Sequence, residues 1–307
     1  MASAPASQAQ WSSWLWATRP FSLSASLAPV LVGTGLAAGV GGGTDWVLFV
    51  LALTGSVAIQ IGTNLTDEYT DHHQGRGAGK FLAPHKVIQR GLLSERAVRG
   101  GMGVAFGYGI AAGLAIVWQL GGQAGWPILA VGIASVAVAY LYAGGPKPLG
   151  ALGLGEPLVF LFMGPVMVGA SYYVQVQEVS ATALWASLPV GCIVTAILHA
   201  NNLRDIEEDR AAGKRSIAAL IGLTPSRWVY AGLVGTAFAV IVALGATGTP
   251  SPWTLLGLAP APWAYAAARG LFRADDRAAM NRMLVRSAKL HGWTGLSLAG
   301  GLAAAAL

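Results

Sequence analysis

Long apolar runs separated by short polar joints set the pattern of this chain. Runs of roughly membrane-crossing length recur nine times, near Phe21–Gly41, Trp46–Thr66, Ala97–Leu120, Trp126–Tyr142, Leu154–Tyr173, Ala183–Ala200, Trp228–Ala246, Trp253–Leu271 and Ser287–Leu307. Four of them open at a tryptophan (Trp46, Trp126, Trp228, Trp253), as helices anchored at a membrane interface do. The expected fold is all-α: a polytopic membrane protein with nine transmembrane helices. No low-complexity linker divides it, so residues 1–307 read as one domain. Residues 1–12 read as a flexible tail, because Met1–Gln10 is small and polar and lacks the charged start of a signal peptide.

Composition agrees. The chain is 54% hydrophobic and only 10% charged, against about 25% charged residues in a soluble domain. The 42 glycines suit close helix approach in lipid, where small residues line the contacts. The single cysteine, Cys192, excludes a disulfide framework and reads as core packing.

The net charge of +6 does not point to nucleic acid. With nine spans, one face receives the N-terminus and the joints 67–96, 143–153, 201–227 and 272–286. All 19 Lys and Arg residues fall there or in the adjoining span ends. That asymmetry places the N-terminus and these joints in the cytoplasm. All the acidic residues except Asp45 and Glu178 lie on the same face.

Most of those acids form two clusters, each following a span. The first is NLTDEYTDHHQG, Asn64–Gly75, in which Asp67, Glu68 and Asp71 would share one face of a helix. The second is ANNLRDIEEDRAAGKRSIAALIG, Ala200–Gly222, where Asn201, Asp205 and Asp209 follow at spacings of four. Carboxylates at the mouth of a membrane helix are costly and usually functional. Mg²⁺ favours carboxylate oxygens and commonly bridges a protein to substrate phosphates, and Lys and Arg neutralise the remaining phosphate charge. Lys80, Lys86, Lys147, Arg204, Lys214 and Arg215 are the candidates for that task. A diphosphate held with its metal ions at the bilayer surface, its apolar tail among the helices, fits the layout. The plain alternative is a set of solvated loop charges. A transporter built from repeats is another, but its polar site would lie near the midplane, and these acids stand at span ends.

NNLRDIEEDRAAGKRS resembles the second aspartate-rich motif of the UbiA-type membrane prenyltransferases, closest to the 1,4-dihydroxy-2-naphthoate branch of menaquinone biosynthesis. Tyr142–Gln175, YAGGPKPLGALGLGEPLVFLFMGPVMVGASYYVQ, is similar to that branch too, as are Thr18–Ala37 and Ser287–Leu296. The resemblance implies nine helices around a central cavity and Mg²⁺-dependent ionisation of an allylic polyprenyl diphosphate, with two ions. It implies attack by an aromatic acid acceptor, here 1,4-dihydroxy-2-naphthoate with loss of CO₂. 4-Hydroxybenzoate, homogentisate or another naphthoate stay open as acceptors. Asn201, Asp205 and Asp209 match the second metal motif, Lys214 and Arg215 its basic pair, and Arg19 the Arg-Pro of the first helix. Lys86 stands where the family usually has arginine. The first motif departs: Asp67 replaces an Asn, Glu68 an Asp, and Asp71 is kept.

On this reading Asp67, Glu68, Asp71, Asn201, Asp205 and Asp209 are the metal candidates. Asp71, Asp205, Asp209, Lys214 and Arg215 carry the chemistry. Asn64, Lys86, Lys147, Glu156, Asn201, Arg204, Arg19 and Tyr142 contact substrate, Glu156 steering the acceptor. Tyr69, Tyr140, Phe160, Phe162, Tyr172 and Tyr173 are further aromatic candidates around an allylic cation, and His72, His73 and His199 possible assistants to the acids.

Overall fold

A computed structural model describes residues 6–73 and 86–306. Lys80, and the stretch from 74 to 79, lie outside them. All regular structure among the described residues is helical, as a bilayer demands of a non-barrel chain, since each helix satisfies its own backbone groups. The helices are α1 (Ala6–Ala17), α2 (Ser24–Ala37), α3 (Trp46–His73), α4 (Glu95–Leu120), α5 (Gly122–Ala143), α6 (Gly155–Leu161), α7 (Met167–Val176), α8 (Ala181–Arg204), α9 (Ile206–Ala211), α10 (Ile217–Ile221), α11 (Leu223–Ala246), α12 (Ala261–Phe272) and α13 (Arg277–Ala303).

Among the described residues, seven segments are long and apolar enough to cross a membrane: Ser24–Gly41, Trp46–His73, Glu95–Leu120, Gly122–Ala143, Gly155–Val176, Ala181–Arg204 and Leu223–Ala246. They coincide with the first seven expected spans. The eighth is broken into a 3₁₀ segment, Pro252–Leu258, followed by α12. Pro260 stands at the join, where its ring and missing N–H favour a helix start. The ninth is a 27-residue helix whose first half carries Arg277, Arg282, Arg286 and Lys289. At the N-terminus, α1 is helical from Ala6, where a flexible tail was expected through residue 12.

Helix α8 is the hub of the bundle and the most buried of the candidate spans, whereas α5 is the most exposed of them. Cys192 is buried within the α8 core cluster, as expected of a packing residue. Trp46, Trp126, Trp228 and Trp253 are all more than half exposed, the position an interfacial anchor needs. Where α2 meets α7 and α13, glycines permit backbone contact. A Cβ on Gly33 would sit 2.4 Å from the Val168 carbonyl oxygen, and one on Gly295 2.3 Å from the Ala28 Cβ.

At the start of α3, Asp45 knots three elements. Its Oδ2 accepts from Gln119 Nε2 at 3.0 Å, its N–H donates to Gln175 Oε1 at 2.8 Å, and its carbonyl accepts from Gln175 Nε2 at 3.2 Å. Gln119 and Gln175 end α4 and α7, so the knot lies at the end of α3 opposite the acidic motif.

Candidate functional site

Helix α3 runs unbroken through the first acidic cluster, so Asn64, Asp67, Glu68 and Asp71 share one rigid element. Each is held by a different partner. Arg19 donates to Asp67 Oδ2 at 2.5 Å. Arg19 occupies the left-handed region, φ 52° and ψ 68°, uncommon for a residue with a side chain. Ser22 fixes it there by donating from both its N–H and its hydroxyl to the Arg19 carbonyl. Burial works against the Arg19 cation, but Asp67, with Asp71 and Glu68 nearby, outweighs it and holds the guanidinium above its ordinary value. Asn64 is engaged within the protein: its amide donates to the Thr18 carbonyl and to Ser22 Oγ, both at 2.9 Å, and accepts from Gln60. It braces the Arg19 turn.

Lys86 bonds Asp71 and lies 3.8 Å from Glu68. Glu68 is 1% exposed and accepts from the Ile88 N–H at 2.9 Å. The extra methylene that separates it from an aspartate lets it reach the 86–93 turn. His72 and His73 face away toward Glu95, at 3.1 and 3.7 Å, and Tyr69 stacks on His73 with Arg99 over its ring. These aromatics join α3 to α4.

The second cluster does not form the single helical row expected of it. Helix α8 ends at Arg204, and Asp205, at φ −107° and ψ 17°, separates it from α9. The Asp205 N–H turns back to the Asn202 carbonyl, while the Asp209 N–H still donates to the Asp205 carbonyl at 2.8 Å. Arg204 locks this corner. Its guanidinium forks onto Asp205 at 2.8 and 2.5 Å and also reaches Asn201 and Asn281, at 2.9 and 2.8 Å. Arg277 donates to Asp205 at 2.8 Å and to both Glu208 oxygens, holding the Glu208 carboxyl below the usual range. Asn281 and Arg277 come from α13, over seventy residues away, and went unmarked in sequence beyond belonging to a charged inner-face joint. Asp209 accepts from Ser216 Oγ at 2.9 Å and pairs with Lys214 at 3.3 Å. Burial nonetheless lifts its carboxyl above the ordinary value.

The 144–154 joint links the two clusters. The Gly144 backbone packs against Thr66 on α3, and the Arg215 N–H donates to the Ala151 carbonyl at 3.0 Å. Gly153, at φ +83°, lets that joint pass so close to Arg215 that a Cβ there would meet the Arg215 carbonyl at 2.8 Å. Tyr142 stands near the end of α5, just before the joint. A Cβ on Gly150 would meet its ring at 3.3 Å and one on Gly155 its hydroxyl at 3.6 Å, so Tyr142 packs against the joint and the start of α6. Lys147 and Arg215 are exposed at the rim.

Glu156, 4% exposed at the start of α6, is tied to α8. Its Oε1 accepts from Asn202 Nδ2 at 2.9 Å and lies 3.3 Å from His199 Nδ1. His199 Nε2 donates in turn to the Ser226 carbonyl at 3.1 Å. Asn202 was not singled out in sequence, although it adjoins Asn201. Phe160 and Tyr172 pack into the core, and Tyr173 donates to the Ala124 carbonyl. Tyr140 is 48% exposed.

Among the described residues no three of His, Cys, Asp or Glu converge as a preformed metal cage. The donor set still suits a hard cation. Both clusters offer oxygen ligands in pairs one helical turn apart, and Mg²⁺ requires only one or two protein carboxylates when water and phosphate complete its shell.

A model of the UbiA prenyltransferase family matches residues 26–293. The chain is 30% identical over 295 residues to 1,4-dihydroxy-2-naphthoate octaprenyltransferase of Bacillus subtilis, covering 94% of this chain and 91% of that one. It is 35% identical over 245 residues to the protein of the same name from Mycobacterium tuberculosis, covering 80% and 81%. The fold is similar to that of a UbiA homolog from Archaeoglobus fulgidus bound to GPP and Mg²⁺, with a TM-score of 0.59 and 14% identity over 93% of this chain and 99% of that one.

Proposed function

Because the chain belongs to the UbiA prenyltransferase family, we propose that it moves a polyprenyl chain from an allylic diphosphate to 1,4-dihydroxy-2-naphthoate, releasing CO₂ and diphosphate. The observation that carries this reading is the joint that ties the two acidic, Lys- and Arg-laced motifs together, packed against Thr66 of α3 at Gly144 and accepting the Arg215 N–H at Ala151. The acceptor follows the names of the two naphthoate relatives.

Asp67 and Asp71 would hold one Mg²⁺ and Asn201, Asp205 and Asp209 a second, with Glu68 fixing the first motif to its loop. When bound, the ions supply Lewis-acid stabilisation of the departing diphosphate. Lys214, Arg215 and Lys147 supply fixed positive charge for the phosphate oxygens, and Lys86 and Arg19 hold the first pair of carboxylates in place. Tyr142 presents its ring to the allylic cation. The apolar bundle keeps water from it. The C1–O bond to diphosphate breaks with its electron pair, a ring carbon of the acceptor bonds to C1, and the carboxyl group at that carbon leaves as CO₂. The protein sits in the cell (inner) membrane with the acidic motifs toward the cytoplasm, a placement supported by the confinement of every Lys and Arg to that face.

The test is transfer by the purified protein with Mg²⁺, prenyl diphosphates and a panel of aromatic acids. Prenylated naphthoquinol with stoichiometric diphosphate is expected, and EDTA abolishes it. Prenylation of only a non-naphthoate acid overturns the acceptor assignment.

A further inference from the structure

Glu156 is bound on one side and bare on the other. Its Oε1 is engaged by Asn202 and His199, yet its Oε2, sealed from bulk water, has no hydrogen-bond partner among the described residues. An unsatisfied buried carboxylate oxygen is expensive, and such atoms in native folds mark strain, a water or a role in chemistry. Packing alone does not explain it, because α6 and α8 already go to some length to hold this side chain. His199, 0% exposed, is fixed by the Ser226 carbonyl, and Asn202 is supplied from the turn that carries Asn201.

The Tyr142 hydroxyl lies beside the start of α6. A Cβ on Gly155, the residue before Glu156, would stand 3.6 Å from it. That hydroxyl hydrogen-bonds to nothing among the described residues. This spot therefore offers a hydroxyl one residue away from an unfilled carboxylate.

Resting on the aromatic prenyl transfer proposed above, we infer that Glu156 and Tyr142 together hold the acceptor by a ring hydroxyl, which donates to Glu156 Oε2 and makes the chain selective for hydroxylated aromatics. Asn202 and His199 are positioning residues that aim the carboxylate. The carboxylate also draws electron density toward the ring, raising the nucleophilicity of the carbon that must meet the prenyl C1. A site that hydrogen-bonds a substrate hydroxyl rejects an analogue lacking it far more strongly than an apolar pocket rejects a missing methylene.

The experiment compares wild type, Glu156→Gln and Tyr142→Phe as purified full-length proteins, using 1,4-dihydroxy-2-naphthoate and its methyl ethers, with donor affinity measured separately by titration with a prenyl thiodiphosphate and Mg²⁺. Each variant is expected to raise the acceptor KM by about tenfold or more, leave thiodiphosphate affinity unchanged, and narrow the preference for the free hydroxyl over the ether. Normal thiodiphosphate binding establishes that a variant is folded. An unaltered acceptor KM in both variants overturns the inference while leaving the transfer reaction standing, as does equal loss of acceptor and donor affinity. If wild type prenylates no hydroxylated aromatic at all, the functional proposal itself falls.

Discussion

Replacing Arg204 with lysine keeps the charge and removes the geometry, which isolates what the corner between α8 and α9 contributes. The guanidinium makes four bonds, two to Asp205 and one each to Asn201 and Asn281, at 2.5–2.9 Å. A single ammonium on a flexible stem reproduces at most part of the fork. Bonds to charged groups are each worth about 1.5–3 kcal/mol net. The pair is well buried, at 12% and 15% side-chain exposure, so little screening applies. Arg277 still grips Asp205, which caps the loss: about one of these bonds goes uncompensated, or 1.5–3 kcal/mol. Such a loss is in line with the roughly 10–100-fold drop in metal affinity or activity seen when an outer partner of a ligand is lost. The assay is prenyl transfer as a function of Mg²⁺ concentration at saturating donor, with membrane insertion and thermal unfolding as controls. Arg204→Lys should shift half-saturation to higher Mg²⁺ by about 10-fold or more. A Mg²⁺ curve superimposed on wild type would refute the reasoning, because it would mean that Asn201 and Asp205 are aimed without Arg204 or hold no metal.

Asp205→Ala and Asp209→Ala should each abolish turnover while leaving the protein inserted; near-normal rates in both would remove the second cluster from the metal site. Lys86→Ala strands Glu68 and Asp71 without their shared cation and should destabilise by about 3 kcal/mol or more, read as early unfolding in detergent, whereas Lys86→Arg should stay close to wild type. Gly295→Val drives a side chain into Ala28 and should abolish the folded monodisperse protein, while Gly300→Ala, with open space around its Cβ position, should not; equal tolerance of both would contradict the close packing of α2 on α13.

The parts of this molecule governed by the solvent were legible in the sequence. Seven apolar runs became the seven continuous spans because a bilayer allows an apolar chain little besides helix. Local effects blurred the rest. Pro260 breaks the eighth run, the charged first half of α13 disguises the ninth, and Asp205 ends a helix that the i,i+4 spacing of Asn201, Asp205 and Asp209 would have continued. The acidic clusters could be found because carboxylates at span ends stand out against apolar neighbours. Their partners could not. Nothing in the order of residues pairs Lys86 with Asp71, or brings Arg277 and Asn281 onto Asp205 and Arg204. Arg204 itself, expected to touch substrate, is committed to the protein. Such pairings depend on how helices far apart in sequence come to rest, and spacing is silent about that.

The knot at Asp45 bears on how a bulky lipid gets in and out. Gln119 and Gln175 lace the tips of α4 and α7 to the root of α3, some 22 residues, or about 33 Å at 1.5 Å per residue, from Asp67. Shafts tied together at one extremity can splay only about that point, and the free extremities then travel farthest. For these three helices the tie thus favours breathing beside the carboxylates over the opposite end, as the proposed exchange of prenyl substrate and product at the charged rim requires.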